Sequence, residues 1–511
     1  MLYSFYVFVF PYLRFLLSSE KKIYLRILFL FTATLCIRLY YNQQDPYLHN
    51  WDERFHALVA KNMMSDPFKP MLRIDALLPY NYQDWWDNHI WVHKQPLFLW
   101  QMALSMKVFG VNEFAVRFPS ALMCALLSLI IFRIGIVINK PLAGFSAAFL
   151  FCFSFFSIEQ TCGAIGMDHN DVAMGFYVTA SIWCLLEYYH SNKKYWLILL
   201  GIFSGCAILV KWLIGVLVYG CWSICILLQN NYKKYFHELL KMILPLTITS
   251  IIFIPWQVYI IKTFPEESKY VYEFNRRHIT EALEGHTGNI FIYLKYINTQ
   301  YSLLGIPIIL SGILLMLRNK IQKEYKIILS SAIFIIYFFF SVVVATKAAG
   351  YVYIISPFVL LIIGLNFDYL HSFLLKKFPT DKAVIILSGL LFITCFMNLQ
   401  YLRLNKSHFK GHSDYNVENK KNKINNTTIY KSLDSYLNGN YVVLNGNSVE
   451  TAEAMFYSNQ NVYGWWPDEP AYNGLKAAGY KIAAFTDHGK QLLPPYIKND
   501  PDVVIIDKVL Q

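Results

Sequence analysis

Apolar positions along this chain fall into long runs, each close to the roughly 20 residues that a helix needs to cross a hydrocarbon core. Short polar stretches carrying Lys and Arg separate them. Reading the runs as helices predicts spans at about 23–41, 116–138, 142–160, 169–189, 195–210, 212–229, 239–262, 300–317, 326–345, 350–370 and 382–400. The segment PLFLWQMALSMKVFG (96–110) is short for a span and carries Lys107, so it reads as a helix on the membrane surface. This gives a polytopic α-helical membrane protein of about eleven spans, twelve or thirteen if further segments cross. After the last span the pattern changes. Residues 403–426 are rich in Asn and Lys and read as a linker. Beyond it, TTIYKSLDSYL and VETAEAMFYS have helical spacing, whereas YVVLNG, NVYGWW, KIAAFTD and DVVIID read as short buried strands. That alternation predicts a small α/β domain over 402–511, following a membrane domain over 1–401 whose first external loop is 42–115.

Charge orients the path. The basic clusters Lys21–Lys22–Arg26, Lys140, Lys193–Lys194, Lys233–Lys234, Arg318–Lys326 and Lys376–Lys382 all fall on one side if 96–110 does not cross. By the positive-inside rule that side is cytoplasmic, so the first loop and the tail are external. The formal charge of +12 therefore reflects topology determinants rather than a nucleic-acid groove. Only 15% of residues are charged, and 56% are hydrophobic, against about 25% charged in a soluble domain. All nine cysteines lie in or beside apolar runs, which implies buried hydrophobes rather than a disulfide framework. The opening LYSFYVFVFPYLRFLL has no basic residues before it and no small-residue cleavage site. It reads as an interfacial helix broken near Pro11 rather than as a secretory signal.

The same topology gathers ionisable residues outside. The first loop supplies Asp52, Glu53, Asp84, Asp87, His93 and Lys94. Short turns supply Asp168, Asp171, Lys211 and Lys347, and the loop 263–299 supplies Glu266, Glu267, Arg276, Arg277, His278, Glu284 and His286. A single Lys at a span end is ordinarily an anchor, and Asp52 could simply cap the helix that follows it. Acids and bases collected on one face, at the cost of charge near a membrane, mark a site instead. The overlapping sequons at Asn425 and Asn426 read as chance products of an Asn-rich stretch.

WDERFHALVAKNMM followed by HKQPLFLWQMALSMKVFGVNEFAVRFPSAL resembles the signature of the GT-C membrane glycosyltransferases, the class of protein O-mannosyltransferases and bacterial aminoarabinose transferases. The matching features are the pair Asp52–Glu53, then Lys94, Pro96, Leu97 and Trp100, then Phe109–Gly110, then Arg117, Pro119 and Ser120. Gln95 replaces a proline usual in the class. Weaker matches follow in order: GMDHNDV on Asp168, with Asp171 as a rival; GCAILVKWLIG on Lys211, with Trp212 where Gly is usual; RRHITEALEGHTGNIFIYL with His286; and TKAAGYVYIISP on Lys347 and Tyr351. The resemblance covers residues 45 to about 365.

What the resemblance implies is an inverting glycosyltransferase using a sugar carried on a polyprenyl phosphate in the bilayer. Cations at the leaving phosphate stabilise the transition state, and a carboxylate takes the acceptor's proton. On that reading Asp52 is the general base, Glu53 orients it or binds the acceptor, and Asp168 positions sugar hydroxyls. Lys94, Lys211, Lys347 and His286, with Tyr351, Arg276 and Arg277, attend the phosphate. His56 and His278 read as structural. No cofactor is required and no His or Cys spacing makes a metal site, although acids beside a phosphate could hold a divalent ion. The partners expected are the lipid-linked sugar, membrane lipids and an acceptor that is lipid A, a glycan or a protein. The Ile-, Lys-, Asn- and Tyr-rich usage points to a bacterial inner membrane with the site and tail in the periplasm. The rivals are a lipid or glycan flippase or transporter, a polysaccharide polymerase or ligase, and a non-catalytic membrane subunit. Internal repeats, expected of a transporter, are not evident.

Overall fold

The computed structural model describes residues 13–17, 22–84, 88–162, 168–228, 232–301, 305–399, 417–447, 450–485, 493–507 and 510. The expected break near Pro11, Asp87 and the first part of the expected linker lie outside these residues. The fold is mostly helical with one small sheet. The chain forms two compact units, one of 1–41, 120–259 and 273–405, the other of 42–119, 260–272 and 406–511. The tail thus falls in one unit with the first loop, where the sequence suggested a domain of its own.

The first unit is built from apolar helices. Helices at Ile23–Asn42, His169–Ser191 and Thr380–Leu399 follow the expected spans closely, whereas Ser356–Lys377 is shifted about six residues along the chain and Gly305–Arg318, at 14 residues, is shorter than the run expected there. By length and apolar composition six helices among the described residues can cross a membrane, or seven if a bent pair counts as one. That pair is Pro141–Cys152 and Phe155–Cys162, bent by 48°. Carbonyls exposed by the bend are answered by buried Arg38, which donates to Phe151 O and Cys152 O (both 3.3 Å) and to Ser157 Oγ (2.7 Å).

Helix crossings are close because glycine removes the side chain. A Cβ on Gly364 would sit 2.3 Å from Ala143 O, and Gly135 and Gly144 face each other with equally little room. Such small-residue contacts are how helices pack where lipid offers no hydrophobic drive. The run Tyr195–Leu227 is one apolar stretch by composition, yet it reverses. Ser204 Oγ donates to Gly215 O at 2.8 Å, and Gly215 packs on the backbone of Ile208. The turn expected at Lys211 is therefore present.

In the second unit the helix Asp52–Met63 and the helix Leu97–Phe109 pack together. At 13 residues the latter, like the 14-residue Gly305–Arg318, is shorter than the roughly 20 residues a span needs. The four expected tail strands all form: β1 (Tyr441–Leu444), β2 (Asn461–Val462), β3 (Lys481–Phe485) and β4 (Val504–Ile506). They make one parallel sheet in the order β2-β1-β3-β4. Its core holds Val442, Leu444, Tyr463, Tyr472, Leu475, Ile482 and Ala484, and the first loop adds Leu78 to it. The linker reading fails from residue 417 onward, where Val417–Lys431 is a helix. Asn426 is buried on that helix and donates to Glu450 at 2.8 Å, so its sequon is not an open acceptor.

Candidate active site

Two adjacent carboxylates begin the helix Asp52–Met63, and the fold separates their roles. Acids in a first turn suit the positive end of the helix dipole. Glu53 is 1% exposed and reaches back to accept the backbone N–H of His49 at 2.7 Å. Arg117, also buried, donates Nε to Glu53 Oε1 at 2.7 Å and Nη2 to Oε2 at 3.0 Å. The rest of that guanidinium gathers the carbonyls of Asn42 (2.7 Å), Asp45 (2.8 Å) and Tyr47 (2.6 Å). Glu53 is thus an internal brace, held between the His49 backbone and Arg117.

Asp52 is different. Its side chain is 31% exposed, and the ammonium of Lys94 lies 3.6 Å from Oδ2. The cap position of the helix is occupied by Trp51, and Asp52 is the first helical residue. Asp52 and Lys94 therefore form an accessible acid–cation pair beside a buried acid–cation pair. Nearby, burial holds the His49 imidazole below the usual histidine range, while His49 and Lys420 hold the Asp45 carboxyl well below its own.

The next residue, Arg54, turns to the tail helix Thr451–Tyr457. It donates Nε to Glu453 at 2.7 Å and meets Glu450 at 3.3 Å, all three side chains being buried. Thr427 and Tyr430 donate to the same two acids, each at 2.7 Å. Burial pushes the Glu453 carboxyl up. Lys61, on the same helix, donates to the carbonyls of Met455 (2.8 Å), Phe456 (3.0 Å) and Ser458 (2.7 Å) at the end of that tail helix. The helix that carries Asp52 is consequently held from the tail as well as by Arg117.

A second cluster lies in the helical unit. Asp168 caps the helix His169–Ser191, accepting from the N–H of Asn170 (2.9 Å) and Asp171 (3.4 Å). The carboxylate that pairs with Lys211 is Asp171, the rival position in the motif. The Lys211 ammonium also lies over the ring of Tyr351, 5.1 Å from its centroid. Gly350 permits the approach, since a Cβ there would come within 2.9 Å of Asp171 Oδ2. Tyr293 and Gln300 fix that segment by donating to Ala348 O (3.2 Å) and Ala349 O (3.1 Å). Trp212, where glycine is usual in the class, keeps the backbone that explains the glycine: φ is 58° and ψ is −146°.

The other expected cations are placed otherwise. Lys347 is buried and spends its three donors on the carbonyls of Phe340 (2.7 Å), Ser341 (2.9 Å) and Val344, closing the end of a helix. Burial lowers its pKa. Its backbone N–H does meet His286 O at 2.8 Å, so these two elements are neighbours, although the His286 side chain is exposed. Arg276 and Arg277 pair with Glu273 and Glu281 on the protein surface. His278 bonds Thr346 at 2.9 Å, a structural role, and His56 packs edge-on against Trp91 and Phe98.

Comparison with known proteins agrees with this architecture. The family of dolichyl-phosphate-mannose-protein mannosyltransferases matches residues 93–259. An uncharacterized protein of Aquifex aeolicus is 26% identical over 163 residues, 31% of this chain and 29% of its own length. The chain thus spans under a third of that relative. Among solved structures, ArnT from Cupriavidus metallidurans in the apo state aligns with a TM-score of 0.60 at 12% identity, covering 88% of each chain. The same protein bound to undecaprenyl phosphate gives 0.59 at 13% identity, again covering 88% of each. The archaeal oligosaccharyltransferase AglB from Archaeoglobus fulgidus, in complex with an inhibitory peptide and a dolichol-phosphate, gives 0.57 at 11%, covering 87% of this chain and 65% of its own. In fold, and over residues 93–259 in sequence, the chain is GT-C-like, as its first-loop motifs suggested.

Proposed function

We propose that the protein is an inverting glycosyltransferase that moves a sugar from a polyprenyl-phosphate carrier to an envelope acceptor at the periplasmic face of a bacterial inner membrane. The observation that carries this reading is the division of the first-loop acid pair. Glu53 is locked to Arg117, whereas Asp52 stays accessible beside Lys94. The fold likeness is to proteins solved with polyprenyl phosphates.

In the proposed reaction Asp52 accepts the proton of an acceptor hydroxyl. The acceptor oxygen attacks the anomeric carbon opposite the leaving group, so the configuration inverts. The bond from that carbon to the phosphate oxygen breaks, and polyprenyl phosphate departs with the electron pair. Lys94, beside Asp52, is the cation assigned to the growing phosphate charge. Asp171 holds Lys211 in place, and Asp168 shapes that turn as a cap. Lys347, its donors committed to carbonyls, is assigned to shaping the segment that carries Tyr351.

The test is transfer in vitro. Detergent-purified protein is given undecaprenyl phosphates bearing different hexoses and pentoses, with an envelope extract as acceptor. The proposal predicts transfer from at least one sugar, falling by about 10²–10³-fold in Lys94→Met. Transport of a lipid-linked sugar between leaflets without any new glycosidic bond would overturn it. Mass spectrometry of lipid A, glycans and proteins from a deletion strain would identify the acceptor.

A further inference from the structure

The residue before Asp52 is an unexpected one. Helix caps favour Ser, Thr, Asp or Asn, whose side chains accept the first N–H groups. Here the position holds Trp51, which makes no side-chain cap hydrogen bond. Its backbone lies at φ 62° and ψ −117°, a region that glycine populates readily and side-chain-bearing residues avoid. The residue is also 55% exposed. A large aromatic residue thus occupies a glycine-like backbone, without capping and with more than half of its surface open. Strained positions of this kind persist where function requires them.

Position suggests the function. Trp51 directly precedes Asp52, whose carboxylate has Lys94 as its near cation. An indole offers a flat apolar face and one N–H donor. A pyranose ring offers the complement, an apolar face of C–H bonds rimmed by hydroxyls. We propose that Trp51 is the sugar platform of the site, its indole covering the apolar face of the pyranose at which Asp52 acts. The platform fits either the sugar being transferred or a sugar of a glycan acceptor. This inference rests on the glycosyltransferase reading and adds to it a positioning residue for the carbohydrate.

Three variants and two binding measurements test it. Trp51→Phe keeps an aromatic face, Trp51→Leu keeps apolar bulk without one, and Trp51→Gly removes the face but suits the backbone. Thermal midpoints, affinity for bare undecaprenyl phosphate, affinity for the undecaprenyl-phosphate sugars, and KM for the acceptor extract are measured on each. Trp51→Gly should melt at or above the wild-type temperature and bind bare undecaprenyl phosphate normally. It should lose about tenfold or more in kcat/KM, as should Trp51→Leu, while Trp51→Phe keeps most of it. If the platform serves the donor, the loss appears as weaker preference for sugar-bearing over bare lipid. If it serves the acceptor, the loss appears as a raised acceptor KM. A residue that only anchors the protein at the membrane interface predicts the reverse. Trp51→Gly would then lower the yield and midpoint, Trp51→Leu would substitute as well as Trp51→Phe, and kcat/KM per folded molecule would not change; that result overturns the platform. Absence of transfer by the wild type from every sugar-lipid overturns the parent reading, and this inference with it, whatever the variants do.

Discussion

Replacing Arg117 by Met tests the brace beneath the first-loop helix. The change keeps an apolar side chain of similar length but removes every donor. Glu53 loses bonds of 2.7 and 3.0 Å, and the carbonyls of Asn42, Asp45 and Tyr47 lose bonds of 2.6–2.8 Å. Glu53 is only 1% exposed, so water cannot take over. Breaking a buried pair by removing one partner costs about 3–5 kcal/mol, because the other charge stays buried. For a unit of this size each kcal/mol moves the midpoint by roughly 2–4 °C, so a fall of roughly 6–20 °C is expected. Adding Glu53→Gln removes the stranded charge, and the double variant should recover roughly 1–3 kcal/mol relative to the sum of the singles. Thermal unfolding in detergent, followed by tryptophan fluorescence and by retention on size exclusion, reads both quantities. A midpoint within about 2 °C of wild type for Arg117→Met would refute the reasoning, since a charge stranded in that environment must cost more.

Three further outcomes follow from named contacts. His49 has its pKa lowered by burial, so the unfolded chain takes up its proton first as pH falls below about 6.5. Stability should therefore decline from there downward, with Asp45 adding loss at lower pH, and His49→Gln should flatten the first part of the decline. Glu453, whose raised pKa works in the opposite sense, is common to both proteins and cancels in the comparison. In the helical unit, Lys211→Met strands Asp171 and should lower stability by about 3–5 kcal/mol, with Asp171→Asn in the same chain restoring part of it; additive losses in thermal unfolding would contradict the pair. Cysteines placed at the exposed Asn81 and Asn438 should both react with an impermeant maleimide in intact spheroplasts; labelling of one alone would invalidate the proposed eleven-span path.

Much of this protein could be read from its sequence because hydrophobic runs and basic clusters report the membrane directly. The tail strands were equally legible, since short Val- and Ile-rich runs between helical patterns have few other solutions. Less legible was the partition of charge. Asp168 and Asp171 are three residues apart at one turn, and only the fold shows that the first caps a helix and the second meets Lys211. Lys347 matched a motif, yet backbone carbonyls at a helix end consume its donors. Arg54 and the acids Glu450 and Glu453 lie almost 400 positions apart, a distance across which spacing carries no signal. Arg117 did leave a trace: a charge at the start of an apolar helix requires a partner, and Glu53 is that partner. The linker reading failed for a related reason. The polar face of Val417–Lys431 includes Asn426 and Thr427, which are buried against the same acids.

Asp52→Asn tests the central proposal most directly. The substitution keeps the size of the side chain and its place at the helix start, but an amide cannot accept a proton from the acceptor. A general base contributes roughly 10²–10⁴-fold. The variant should insert and melt like the wild type, bind undecaprenyl phosphate with unchanged affinity, and transfer sugar slower by that factor. Wild-type turnover per folded molecule in Asp52→Asn would contradict the assignment of Asp52 as the base.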